Sequence, residues 1–131
     1  MILDTSAVIA ILRCEPEAAA FAEAIELDPE RQISAVNYVE AAAVIESSRD
    51  PIASRQFDEL LREADVKIEA VTEEQAEIAR QAYRDFGRNS GHPAKLNLGD
   101  CFAYALAKAK REPLLFKGDD FTRTDVRRIA H

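Results

Sequence analysis

Four acids at the ends of expected elements form the one catalytic set visible in this sequence: Asp4, Glu40, Asp100, and one of the neighbours Asp119 and Asp120. Taken singly, each has a plain structural reading. With 24 Asp and Glu among 131 residues, any one acid is by default a solvated surface group. Asp100, following Gly99, fits a helix cap, and Asp119-Asp120, following Gly118, fit a turn. Asp4 is less ordinary, because it ends the apolar opening Met1-Ile2-Leu3. A carboxylate at the end of a buried strand is costly unless something satisfies its charge. Glu40 stands among Tyr38, Val39, Ala41, Ala42 and Ala43, an apolar setting for an acid. Carboxylates gathered in one place repel and raise each other's pKa, a conflict that a divalent cation resolves. Oxygen-only ligation with no supporting His or Cys points to magnesium or manganese over zinc. Such ions activate water and stabilise in-line phosphoryl displacement, so the chemistry expected is phosphodiester hydrolysis.

The elements that must position these acids alternate. Met1 to Asp4 is a short buried strand; Thr5 or Ser6 caps a helix carrying Ala7, Val8, Ala10, Ile11 and Leu12. Pro16 is placed to open a second helix at its first position. Arg31 to Ser34 is a strand candidate, followed by an alanine-rich helix from about Val36 to Ser48, capped by Ser34 or Asn37. After Asp50-Pro51 comes a helix with Phe57, Leu60 and Leu61. Val66 to Val71 alternates as a strand, Thr72 to Gln75 is a capping box, and the helix it launches ends at Gly87. Residues 88–97 form the long loop, Asp100 starts a further helix, and Leu114 to Phe116 is the last strand. Strands alternating with helices imply right-handed crossovers and a parallel sheet covered on both faces. The expectation is a single α/β domain over residues 1–131, with a short central parallel sheet flanked by helices in three layers. In such a sheet ligands bind beyond the carboxyl ends of the strands, where Asp4, Asp100, Asp119-Asp120 and the early-helix Glu40 can converge.

Composition bounds the rest. Hydrophobic residues make up 47% and charged residues 31%, a globular balance. No apolar run approaches the roughly 18 residues of a membrane span, and the opening lacks the basic stretch of a signal peptide, so a cytoplasmic protein is expected. Cys14 and Cys101 are expected as reduced core thiols. His92 falls in a Gly-His-Pro loop and His131 ends the chain. There is no phosphate-cradling glycine loop and no zinc spacing. The net charge of −7, from 17 Lys and Arg against 24 acids, argues against a broad basic nucleic-acid surface. It leaves room for a nuclease whose metal supplies the positive charge, and it invites a basic partner.

Four segments follow one another in order: Met1-Ile2-Leu3-Asp4-Thr5-Ser6-Ala7; Tyr38-Val39-Glu40; Leu96-Asn97-Leu98-Gly99-Asp100-Cys101-Phe102-Ala103-Tyr104-Ala105-Leu106-Ala107; and Leu114-Leu115-Phe116-Lys117-Gly118-Asp119-Asp120-Phe121. In these the chain resembles the PIN-domain proteins of the VapC toxin family. The resemblance covers essentially the whole chain and rests on the four motifs together, each of them weak alone. It implies a Mg2+- or Mn2+-dependent endoribonuclease, the toxin of a type II toxin–antitoxin module, which cleaves structured RNA such as transfer or ribosomal RNA. It also implies a homodimer and a cognate VapB-like antitoxin that places a basic or aromatic residue in the acidic pocket. Carried onto this chain, Asp4 and Asp100 would be the main metal ligands, and Glu40 a further ligand or the holder of a metal-bound water. Asp119 or Asp120 would be the fourth acid, with Asp120, beside Phe121, favoured. Ser6 matches a family position near the metal, where its hydroxyl would hold water or a phosphate oxygen, or else cap the helix; Thr5 reads as structural. Arg88, Lys95 and Lys117 flank the site segments and are the candidates to line an RNA path. Two other readings compete. An aspartyl-phosphate phosphatase would use Asp4 as nucleophile, but it usually has a second acid two residues on, where Ser6 stands. A non-catalytic binding module of the same fold predicts degraded acids, whereas all four positions hold Asp or Glu.

Overall fold

Alternation along two very short strands sets the architecture. In the computed structural model, which describes residues 1–129, β1 (Ile2–Leu3) and β4 (Leu114–Leu115) are two residues each, and all four side chains are buried. Successive strand residues point to opposite faces. Ile2 and Leu114 enter one core with Ala79, Ala82, Leu106 and Phe116, while Leu3 and Leu115 enter another with Val8, Phe21, Ile33 and Phe57. The result is three layers, helices on both faces of one sheet, as expected from the sequence.

The sheet adds β2 (Arg31–Ser34) and β3 (Val66–Glu69) in the order β3-β2-β1-β4, every pair parallel. Ile2 lies opposite both Gln32 and Leu114. Parallel neighbours require crossovers, and three pairs of helices supply them. These are α1 (Thr5–Leu12) with α2 (Ala18–Leu27), α3 (Ala35–Glu46) with α4 (Pro51–Glu63), and α5 (Glu73–Phe86) with α6 (Leu98–Lys110). A single 3-10 turn, Asp120–Arg123, follows β4. Arg31 ties the first two crossovers together: its guanidinium donates to the Ile25 and Glu26 carbonyls at the end of α2 and to the Ala64 carbonyl at the end of α4. These are the terminal acceptors that a helix cannot satisfy internally.

Several local expectations are corrected. The strand expected over Val66 to Val71 stops at Glu69, because Thr72 leaves the sheet to cap α5 through its side chain. It is an edge strand, and Ile68 is 44% exposed. Pro16 does not open a helix; α2 begins at Ala18. Cys14 is not a core thiol, since it follows the α1 C-cap in a left-handed conformation (φ 51°) and is exposed, whereas Cys101 is buried. Asp100 is not the first residue of its helix, which starts at Leu98 under the cap Asn97. His131 lies outside the described residues. Among the described residues no helix is long and apolar enough to cross a membrane.

Candidate active site

A hollow of about 540 Å3 opens at the carboxyl end of the sheet, where β1 gives way to α1 and β4 to the 3-10 turn. Asp4, Glu40, Asp100 and Asp120 all line it; Asp119, exposed like its neighbour Asp120, does not. A second hollow, about 510 Å3, lies near the starts of β2 and β4. Its charges answer one another, with Lys67 3.4 Å and Lys110 3.8 Å from Glu69, so it holds no comparable excess of acids.

Asp4 is fixed from two sides. Its backbone N–H donates to the Leu115 carbonyl at 3.0 Å, and its side chain is the N-cap of α1. Oδ2 accepts from the Ser6 amide at 3.0 Å and the Ser6 hydroxyl at 2.5 Å. Oδ1 is buried and has no hydrogen-bond partner among the described residues. The Ser6 hydroxyl spends its proton on Asp4 and accepts from the Lys117 amide at 2.9 Å, so it links the start of α1 to the exit of β4. Glu40 reaches in from α3, its Oε1 accepting from the Thr5 hydroxyl at 2.5 Å. Its carboxylate fills the space above Gly99, where a Cβ would collide with it. Glycine is required there for that close approach, not for an unusual backbone angle. Asp100 stands at the third position of α6 in a reciprocal capping box: its amide donates to Asn97 Oδ1 at 2.8 Å, and its Oδ2 accepts from the Asn97 amide at 3.0 Å. The helix dipole favours a negative charge at that end. Asp120 is exposed in the 3-10 turn.

Three of the four acids are therefore gripped by one oxygen, leaving the other uncommitted among the described residues. They are not drawn into a closed three-ligand cluster in the described residues. Their proximity is recorded in their acidity. Burial pushes the Asp4 carboxyl up to about 6, opposed by its Ser6 hydrogen bonds and assisted by the charge of Glu40. Burial, then the charge of Asp4, pushes Asp100 up to about 7, with Asp120 and Glu40 adding to the effect. A buried carboxylate oxygen without a donor, beside acids that resist ionising together, fits a hard divalent cation held by oxygen ligands. The donor set contains no His or Cys that would favour zinc.

Of the basic candidates, only Lys117 lines the hollow, and its ammonium is held by Glu15 at 2.8 Å and Glu17 at 3.4 Å. Arg88 and Lys95 are exposed on the loop after α5 and do not line it. Sequence reasoning passed over Arg13, the C-cap of α1, which lines the hollow, is exposed, and makes no ion pair among the described residues. It also passed over Asn97, whose spacing three residues before Asp100 is a capping signal, and the part played by Asn37, one turn before Glu40 on the same helix.

The raised acidities carry a stability consequence. Above about pH 4 the unfolded chain has released the protons of Asp4 and Asp100, while the metal-free folded protein still holds that of Asp4 up to about pH 6 and that of Asp100 up to about pH 7. Stability contributed by these groups is thus present at low pH and lost as pH rises through their folded values. In chelator at pH 8, Asp4→Asn and Asp100→Asn are each expected to stabilise the fold, on the order of 2 kcal/mol, since Asn keeps both capping geometries. At pH 5 the gain should shrink. Denaturant unfolding measures this, and a loss of stability in both variants at pH 8 would contradict it.

Comparison with known proteins agrees with the fold. The PIN domain family matches residues 1–127. VapC ribonuclease Mb0625 of Mycobacterium bovis is 58% identical over 128 residues, covering 98% of this chain and 96% of its own length. Ribonuclease VapC42 of Mycobacterium tuberculosis is 53% identical over 127 residues, covering 97% of each. Among solved structures, VapBC2 from Rickettsia felis, bound to a DNA fragment from the promoter, superposes with a TM-score of 0.75 at 14% identity, covering 98% of this chain and 96% of that one. Mycobacterium tuberculosis VapC20, described as a Sarcin-Ricin loop cleaving toxin, gives 0.73 at 16% identity, covering 95% of each. These structural likenesses establish the shared fold. With the identity to curated relatives running nearly end to end, the chain belongs to the PIN-domain family, within its VapC ribonuclease branch.

Proposed function

We propose that the acid-lined hollow is the active site of a metal-dependent endoribonuclease that serves as the toxin of a VapBC-type toxin–antitoxin pair. The observation that carries this reading is the buried, unpartnered Oδ1 of Asp4 set among Glu40, Asp100 and Asp120. Asp4, Asp100 and Glu40 would hold the cation, Mg2+ or Mn2+, with Asp120 as the fourth acid. When bound, the cation supplies Lewis-acid stabilisation of the scissile phosphate and makes water a nucleophile at neutral pH.

The chain's own residues provide the setting. Ser6 holds the Asp4 carboxylate by Oδ2, leaving Oδ1 without a hydrogen-bond partner among the described residues. Thr5 fixes Glu40 by Oε1, and the Asn97 amide fixes Asp100 by Oδ2, so neither carboxylate must be ordered when substrate arrives. Asp120, exposed in a short turn, is free to adjust. The substrate we assign is structured cellular RNA, of the transfer or ribosomal kind, which fits a cytoplasmic toxin. With the rim dominated by acids, Arg13 is the unpaired cation available to a flanking phosphate, and Lys117 can join it only by exchanging Glu15 and Glu17 for that phosphate. Val39 on α3 and Leu98 at the start of α6 are 61% and 65% exposed on the two helices that carry Glu40 and Asp100. This apolar surface suits the second copy of a homodimer. The acidic hollow suits a basic or aromatic side chain of a VapB-like antitoxin.

Asp4→Asn and Asp100→Asn should each lower RNA cleavage by about 1,000-fold or more, a loss on the scale of essential active-site groups. Chelator should do the same to the wild type, with recovery on adding Mg2+ or Mn2+. Full cleavage in excess chelator would overturn the metal-dependent reading. Arg13→Gln should raise KM for RNA with kcat preserved. It should also flatten the dependence of log(kcat/KM) on log[salt] by about 0.7, the value for one single-strand phosphate contact; an unchanged slope would remove Arg13 from the RNA path.

A further inference from the structure

Asn37 joins by hydrogen bonds all three segments carrying the central acids. It lies on α3 one turn before Glu40, and it is fully buried. Its amide Nδ2 donates to the Thr5 hydroxyl oxygen at 3.2 Å and to the Gly99 carbonyl at 3.0 Å. Thr5 is the residue after Asp4, and Gly99 the residue before Asp100. A primary amide nitrogen has two protons, and both are used.

The consequence for Thr5 follows from proton counting. A threonine hydroxyl has one proton to give. Because Oγ1 accepts from Asn37, that proton is left for an acceptor, and two are in range: Glu40 Oε1 at 2.5 Å and the Asn37 carbonyl at 3.4 Å. The shorter contact prevails, so Asn37 sets Thr5 as a donor to Glu40. The amide orientation is set by the same network, since turning it over would place Oδ1 against the Gly99 carbonyl oxygen. Meanwhile the bond to Gly99 draws the first turn of α6 against α3, at the point where Glu40 occupies the space a Cβ would need.

The remaining atom, Oδ1, is buried with no partner among the described residues. An unpaired buried carbonyl oxygen is destabilising, and an apolar side chain of similar size would avoid it. The two donor bonds therefore explain the amide better than stability alone does. We propose that Asn37 is a positioning residue for the metal site: acting through Thr5 and Gly99, it fixes Glu40 relative to Asp4 and Asp100, the acids that would hold the cation. This rests on the nuclease reading above only for its catalytic arm; its metal-binding arm stands separately.

The test is Mn2+ alone, titrated into the purified full chain by calorimetry, beside RNA cleavage. Asn37→Ala should weaken Mn2+ binding by about 10-fold or more, the range for residues that orient metal ligands. It should lower kcat by a similar factor and leave KM for RNA unchanged. Thr5→Val should do the same, Thr5→Ser should retain wild-type affinity, and the Asn37→Ala/Thr5→Val double variant should be no worse than the weaker single. A merely structural role would lower the melting temperature without moving Mn2+ affinity measured well below it. Wild-type affinity in Asn37→Ala, or losses that simply add in the double variant, would overturn the proposal. If Asn37→Ala fails to fold, unchanged Mn2+ affinity in Thr5→Val overturns it instead. A wild type that binds Mn2+ but cuts no RNA would sink the nuclease reading while leaving the Asn37 proposal to the affinity data.

Discussion

Burial of carboxylates close to one another, which desolvates them and sets their charges against each other, is the constraint on which the rest of this structure depends. Asp4 is buried at the end of a central strand with one oxygen unsatisfied, and Asp100 is pushed to about 7 by burial and by Asp4 itself. Left alone, such an arrangement opposes folding. It persists because each acid is gripped on one side by a neutral donor: Ser6 on Asp4, Thr5 on Glu40, the Asn97 amide on Asp100. None of these grips neutralises charge. They hold the acids in place without relieving the repulsion, which a retained proton relieves at low pH and a bound cation would relieve above it.

The fold delivers this with very little sheet. Two-residue strands suffice for β1 and β4 because both are buried on both faces, so that Ile2 and Leu3 each anchor a different helical layer. The parallel register brings the ends of β1 and β4 together, and the Asp4 amide bonded to Leu115 fixes the first acid to the strand that leads to the fourth. The crossover helices α3 and α6 then present Glu40 and Asp100 from their first two turns. Their close approach depends on Gly99 having no Cβ. An acidic protein of net charge −7 thus gathers four acids in one hollow, with Arg13 beside them making no ion pair among the described residues.

Much of this was legible in the residues. The apolar opening ending in Asp4, the alternation of strands and helices, and the four motifs in order were enough for the three-layer architecture and for naming the acids that the structure gathers. The rest depended on tertiary contacts that periodicity does not encode. Val66 to Val71 alternates like a half-buried strand, yet only the contest with the Thr72 cap shows where it ends. Cys14 sits in an apolar pattern that a left-handed residue interrupts. Asn37 looked like a helix cap because Asn favours caps, but Ser34 holds that position and the Asn37 amide turns inward. The basic residues were chosen by proximity in sequence to the motifs. That favoured Arg88 and Lys95 over Arg13, which reaches the hollow only because α1 ends at its rim.

The central claim, that one cation relieves the repulsion of these buried acids, has a direct signature in protons. A cation can occupy the site only when Asp4 and Asp100 are ionised, so binding near pH 6 must expel the protons they hold there, and binding at pH 8.5 must expel almost none. Calorimetric titration of Mn2+ in buffers of different ionisation enthalpy counts them. The account predicts saturable binding with release of about one proton near pH 6, falling toward zero at pH 8.5. Absence of saturable binding, or a proton count that does not change with pH, would contradict it.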